Sequence, residues 1–238
     1  MPRRNFYKAV IFNIEGLVPE AERITCDAWK RASGGLGYPM QEVVARTAAG
    51  LLPADARRFL KNFFGPEFPF EQVYVRMTIV RDAYIRNWTI AVARGARGVL
   101  AALRALQIPK AIASWSDAQA TEMLLGRTDL FQHFEAVVSR DDLTFGGGWE
   151  DMYTIAALRL GVANEQCLVV EKSDSGVRSA HSAGMTVMML ADARTPTEPF
   201  PHAYYAGKSV TGVARDMIPL LDTQRSTGLI PRSQFALP

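Results

Sequence analysis

A chain of 238 residues with 48% hydrophobic and 21% charged side chains is ordinary for a globular protein, long enough for one large domain or a core with an insertion. Its net formal charge of +3 is mild and its arginines are scattered, which argues against a nucleic-acid partner. No apolar run approaches the roughly 20 residues that span a bilayer, and Met1-Pro2-Arg3-Arg4-Asn5 has no apolar signal core, so a cytoplasmic protein with no membrane partner is expected. Cys26 and Cys167 fit no metal spacing and read as buried thiols rather than a disulfide.

The first predicted element is a strand over residues 8–13, where Val10, Ile11 and Phe12 are consecutive, as in a parallel strand buried on both faces. From Gly16 to about residue 90 the pattern is helical throughout. One helix covers 21–32 and stops at Gly34-Gly35; another begins near Gln41 and breaks over 50–53. Phe59, Leu60, Phe63 and Phe64 form a stripe at helical spacing that ends at Gly65-Pro66, and a long helix follows over 70–88. A block with no strand candidate implies an inserted helical domain.

From Gly95 helices and strands alternate. Ala96, Val99, Leu100, Leu103 and Leu106 share a helical face, and strands are predicted over 111–114, 136–138, 168–171 and 186–190. Helices ending near 125 and covering 151–160 and 175–183 separate them. This alternation predicts an α/β fold, a Rossmann-like doubly wound parallel sheet with an inserted all-helical cap. Residues 1–17 and 91–222 would form the core, 18–90 the cap and 223–238 a polar tail. Ligands of such sheets lie outside the carboxyl ends of the strands, which here carry Asn13, Ser114 and Glu171.

The segment Tyr7-Lys8-Ala9-Val10-Ile11-Phe12-Asn13-Ile14-Glu15-Gly16 is followed in order by Ile112-Ala113-Ser114-Trp115-Ser116, Leu160-Gly161-Val162, Cys167-Leu168-Val169-Val170-Glu171, Ser175-Gly176-Val177-Arg178 and Ala183-Gly184-Met185. Together these resemble the haloacid dehalogenase (HAD) superfamily. The similar branch carries a helical cap and contains β-phosphoglucomutase and phosphoglycolate phosphatase. The resemblance runs from Lys8 to about Leu190 and implies phosphoryl transfer through an aspartate nucleophile and magnesium. By this resemblance the nucleophile position is Asn13, the acid/base position Glu15 and the phosphoryl-holding hydroxyl Ser114. The family's Gly-Lys-Pro-x-Pro-Asp aligns with Gly146-Gly147-Gly148-Trp149-Glu150-Asp151, which puts Gly147 in place of the lysine. The magnesium-holding Glu-Asp pair aligns with Glu171-Lys172.

These departures have physical consequences. An amide is a poor nucleophile and a weak ligand for a hard dication, and an ammonium at position 172 repels one. Two carboxylates and one ammonium carry the same net formal charge as the family's four carboxylates, lysine and magnesium. Lys172 is therefore expected to fill the magnesium position and pair with Glu15, leaving no cofactor and no metal. Ser114, Trp115 and Ser116 follow a strand and could cradle an anion, although Ser116 also suits a helix N-cap. Thr25 and Trp29 face the cleft by family analogy, with core packing the plainer role for Trp29. Arg46, Arg76 and Arg81 either reach an anionic substrate or are solvated. Gly146-Gly147-Gly148 reads as a flexible remnant, and His133, His181 and His202 have no metal spacing.

Three functions are compatible with this pattern. The main expectation is a pseudophosphatase that binds a small anionic metabolite or a protein partner without turnover. The second is a metal-independent enzyme using Glu15 and Lys172 as an acid/base pair; the third is a residual HAD phosphatase. The expected site comprises Asn13, Glu15 and Lys172, with Ser114, Trp115, Ser116, Glu171, Thr25 and Trp29 around the ligand.

Overall fold

The computed structural model describes residues 7–143, 149–191, 203 and 205–221. Its strands are β1 (Ala9–Asn13), β2 (Lys110–Ala113), β3 (Ala136–Val138), β4 (Cys167–Glu171), β5 (Thr186–Leu190) and β6 (Tyr205–Gly207). They form one parallel sheet in the order β3-β2-β1-β4-β5-β6. The strand order reverses between β1 and β4, and in such sheets the crevice at the reversal is where ligands bind. Asn13 and Glu171 are the last residues of these two strands.

Successive side chains on a strand point to opposite faces, and both faces here are covered. Val10 and Phe12 of β1, with Leu168 and Val170 of β4, pack against α6 (Ala96–Ala105), α7 (Ala118–Arg127) and α10 (Val210–Met217). Ala9 and Ile11, with Cys167 and Val169, pack against α8 (Trp149–Leu160) and α9 (Asp174–Ser182). This is the doubly wound arrangement that the alternating pattern predicts. Gly95 enters α6 with φ +81°, and a Cβ there would run into Thr211 of α10, so only glycine suits the close approach.

After β1 come the short α1 (Ile14–Leu17) and then the cap, made of α2 (Glu20–Gly34), α3 (Glu42–Ala49), α4 (Pro53–Phe64) and α5 (Phe70–Asn87). Pro53 opens α4, where its missing N–H costs nothing, and Gly65 with φ +104° closes it. Trp29, Leu60, Phe68, Phe70 and Met77 fill the cap's own core. β6 and α10 were not anticipated from sequence. β6 is defined by its pairing with β5, which only the fold supplies. Gly146-Gly147-Gly148, His202 and the tail lie outside the described residues. No helix among the described residues is long and apolar enough to cross a membrane.

A buried ion cluster joins the cap to the core. Arg81 of α5 donates through Nη1 to Asp117 Oδ2 at 2.7 Å and through Nε to Asp82 Oδ1 at 2.9 Å. Asp117 also caps α7 by accepting the Ala120 N–H at 2.9 Å, and Gln119 donates to Asp82 at 3.0 Å. Arg140, beyond β3, reaches up to the Tyr74 hydroxyl of α5 at 3.0 Å. Arg81 is only 4% exposed, so every donor it carries needs a partner. Burial works to raise the Asp117 pKa, but the Ala120 N–H and the Arg81 and Arg140 charges outweigh it and hold the carboxyl below its ordinary range.

Removing one member of a buried pair leaves the other charge unmatched. Arg81→Leu should therefore lower the unfolding free energy by about 3–5 kcal/mol in urea denaturation; a loss well under 1 kcal/mol would mean the cluster does not hold the domains. Since the folded Asp117 carboxyl titrates below its unfolded value of about 3.9, its contribution is complete above that pH. It is lost as the pH falls through the folded value. Urea midpoints should thus fall less steeply below pH 5 in Asp117→Asn than in the native chain.

Candidate active site

β1 and β4 deliver Asn13 and Glu171 side by side at the strand ends, both buried. Asn13 Oδ1 accepts the Glu15 N–H at 2.8 Å, which caps α1 and sets the turn that carries Glu15. Asn13 Nδ2 donates to Glu171 Oε1 at 2.7 Å, and the Tyr153 hydroxyl of α8 donates to the same oxygen at 2.8 Å. Glu171 Oε2 accepts the Lys172 N–H, the Ser173 N–H at 2.6 Å and the Ser173 hydroxyl at 3.2 Å. Five donors meet a carboxylate with about four lone-pair positions. A Cβ at Gly176 would collide with this carboxylate, so glycine at the start of α9 lets it sit there. Burial pushes the Glu171 pKa up, while Ser173, Tyr153 and Lys172 work against the rise. Burial first, and then the Glu171 charge, push the Tyr153 phenol well above its ordinary value.

In front of this network lies a cavity of about 600 Å³ between core and cap. The core contributes Glu15, Lys172, Arg94 and Lys208; α2 and α3 contribute Glu22, Arg23, Cys26, Glu42 and Arg46. Lys172 Nζ lies 3.2 Å from Glu22 Oε2, and Arg46 Nε lies 3.1 Å from Glu22 Oε1. The cap thus supplies a carboxylate to the Lys172 ammonium, and Glu15 of the core lines the same cavity. Burial, followed by the nearby Glu22 and Glu42 charges, pushes the Cys26 thiol up to about 12, so it stays protonated and is no nucleophile at neutral pH.

A second space of about 30 Å³ opens on the other side of Glu15, with Thr25, Trp29, Tyr74, Trp115, Ser116 and Arg140 in its wall. That is room for a water molecule or two. Ser114 walls neither cavity; its hydroxyl is fully buried and accepts from Thr121 Oγ1 at 2.8 Å and the Ser116 N–H at 3.3 Å. The helix after β2 is capped by Asp117 rather than Ser116. Trp29 packs on Phe70 and Tyr74 in the cap core while its edge reaches the small space. Arg46 faces the large cavity, Arg81 belongs to the cap–core cluster and Arg76 bonds the Gly35 carbonyl at 3.5 Å.

The structure therefore brings Glu15 and Lys172 to one cavity and Glu15, Thr25, Trp29, Trp115 and Ser116 to another, with Asn13, Glu171 and Ser114 behind the walls. Tyr153 and Glu22 were missed. Tyr153 sits on an apolar helical face, where its hydroxyl needs a partner that only the fold supplies; Glu22 is one of several charges on α2. Magnesium requires several hard oxygens in octahedral array. Here one Asn13 oxygen is committed to a backbone N–H, both Glu171 oxygens are taken by donors and position 172 is a cation, so these residues do not fit the ion. Among the described residues no cluster of three His, Cys, Asp or Glu is arranged to hold a metal. What the large cavity does offer is a carboxylate beside an ammonium.

Residues 7–184 match the model of the haloacid dehalogenase-like hydrolases. The probable pseudouridine-5'-phosphatase of Drosophila melanogaster is 28% identical over 201 residues, covering 81% of this chain and 85% of that protein. The fructose-1-phosphate phosphatase of Escherichia coli is 25% identical over 192 residues, covering 75% and 94%. A hydrolase from Pseudomonas syringae superposes with a TM-score of 0.77 at 17% identity, covering 90% of this chain and 99% of that one. CbbY from Rhodobacter sphaeroides in complex with phosphate gives 0.72 at 19%, covering 86% and 95%. These findings overturn the expectation of a non-catalytic binder, because the matched family is one of hydrolases and the relatives are named phosphatases. The expectation read the departures at positions 13, 147 and 172 as the loss of catalysis, whereas side-chain changes remove a route and leave the other groups of the cleft in place. The chain belongs to the haloacid dehalogenase-like hydrolase family.

Proposed function

We propose that the chain hydrolyses phosphomonoesters of small metabolites in the cavity between core and cap, and that it does so without bound magnesium. The observation that carries this reading is the cavity itself, which sets Glu15 and Lys172 of the core against the basic Arg23 and Arg46 of the cap. The phosphatase names of the relatives support the reaction class. The hydrogen bonds that occupy Asn13 and Glu171 support the absence of a metal step.

With an amide at position 13, water is the attacking group. The Glu15 carboxylate takes a proton from water as its oxygen bonds to phosphorus. The bond from phosphorus to the ester oxygen breaks, and the departing alkoxide takes a proton from the Lys172 ammonium. Transfer of the proton from Glu15 to Lys172 then restores both groups. A carboxylate can serve as the base, and the Lys172 and Arg46 charges favour the negative phosphoryl group. Asn13 acts as a positioning residue: it caps the turn of Glu15 and holds Glu171.

The test is release of inorganic phosphate from a panel that includes fructose 1-phosphate and pseudouridine 5'-phosphate, with magnesium and with EDTA. Turnover unaffected by EDTA is expected. No release under either condition would overturn the hydrolase reading, and release only with magnesium would overturn its metal-free part. Glu15→Gln should reduce kcat by about 10²–10⁴-fold, the usual contribution of general acid/base catalysis.

Asn13→Asp should not turn the site into a magnesium-dependent one. It replaces a donor to buried Glu171 with a second carboxylate, and two adjacent carboxylates resist ionising together. Thermal unfolding at pH 8 should show this variant less stable than the native chain by about 3–5 kcal/mol, the cost of an unmatched buried charge. Added magnesium that restored its stability and raised its turnover would contradict the account of the donor set.

A further inference from the structure

The large cavity carries more positive charge than its reacting end uses. Five cations wall it, Arg23, Arg46, Arg94, Lys172 and Lys208, against the carboxylates of Glu15, Glu22 and Glu42. The acids are not shared evenly. Glu22 faces both Arg46 at 3.1 Å and Lys172 at 3.2 Å, while Glu42 faces Arg46 at 3.2 Å and Lys30 at 2.7 Å. Arg46 and Lys172 are thereby matched by cap carboxylates.

The other three cations have no carboxylate partner among the described residues. Arg23 lies over the Trp88 ring, 5.1 Å from its centre, which holds its guanidinium in place without neutralising it. Arg94 precedes α6, and Lys208 lies between β6 and α10. Three elements that are distant in sequence therefore bring cations to one cavity, which Ser209 and Val210 at the start of α10 also line. A cleft lined by one sign of charge between low-dielectric walls concentrates the opposite charge. A single phosphoryl group at Glu15 and Lys172 leaves these three charges unanswered.

We infer that Arg23, Arg94 and Lys208 form a second anion subsite, and that the cavity takes phosphorylated metabolites bearing a further anionic group, a second phosphate or a carboxylate. The inference rests on the reading of this cavity as the phosphomonoester site and names its substrate class. The phosphoryl group to be cleaved sits at Glu15 and Lys172, and the second anion sits at the arginine and lysine wall. A volume of about 600 Å³ accommodates a small sugar skeleton between them. Because the three side chains are exposed, their attraction should be screened by salt.

Fructose 1-phosphate and fructose 1,6-bisphosphate share a skeleton and differ by one anionic group. Phosphate release should give a kcat/KM at least tenfold higher for the bisphosphate at 50 mM salt, with the ratio falling at 500 mM. Arg94→Gln combined with Lys208→Gln should bring that ratio close to one. Calorimetry with the Glu15→Gln variant, whose turnover is slowed, should show the same preference in Kd. A ratio near one in the native chain, or one that the double variant leaves intact, would overturn the subsite. Preferential binding of the bisphosphate in calorimetry with no phosphate release from either compound would retain the subsite and overturn the hydrolase reading.

Discussion

The site depends on the buried Glu171 carboxylate and the donors that hold it. A carboxylate removed from water is costly unless its lone pairs are met, and here Asn13, Tyr153, Lys172 and Ser173 meet them. That requirement ties the ends of β1 and β4 to α8 and to the turn entering α9. It also explains Asn13 in physical terms: an amide donates to Glu171, which an ionised aspartate cannot do. Gly176 completes the arrangement by leaving the carboxylate the space that a Cβ would fill.

The same network separates the roles of Asn13 and Glu15. Asn13 is turned inward to the strands, while Glu15 lies on the wall between the two spaces of the cleft. The cap contributes through two distinct contacts. Arg81, Asp82 and Asp117 anchor α5 to α7, and Glu22 reaches Lys172 at the large cavity. The cavity thus presents side chains from two units that buried charges join. The large cavity lies between these two units, with charged side chains from both in its lining.

The chemistry follows from what the cleft retains. A carboxylate, an ammonium and a set of arginines can move protons and stabilise a phosphoryl group, while the buried pair behind them is committed to hydrogen bonds. The departures at positions 13, 147 and 172 favour the expectation of a binder without turnover. The family match and the phosphatases among the relatives correct it.

Much of the architecture was legible in the chain itself. Consecutive apolar residues at Val10–Ile11–Phe12 mark a doubly buried strand, and the alternation after Gly95 marks the parallel sheet, because these patterns are local and periodic. The segments around residues 13, 114 and 171 likewise carry the resemblance to the family. The sequence could not show which charges meet. That Lys172 faces Glu22, 150 residues away, and that Tyr153 bonds Glu171 depend on how the cap sits on the core and how α8 packs on the sheet. Nor could spacing bring Arg23, Arg94 and Lys208 to one cavity. Periodicity records which face of an element is apolar; the pairing of polar groups across elements is settled only when tertiary packing brings them together.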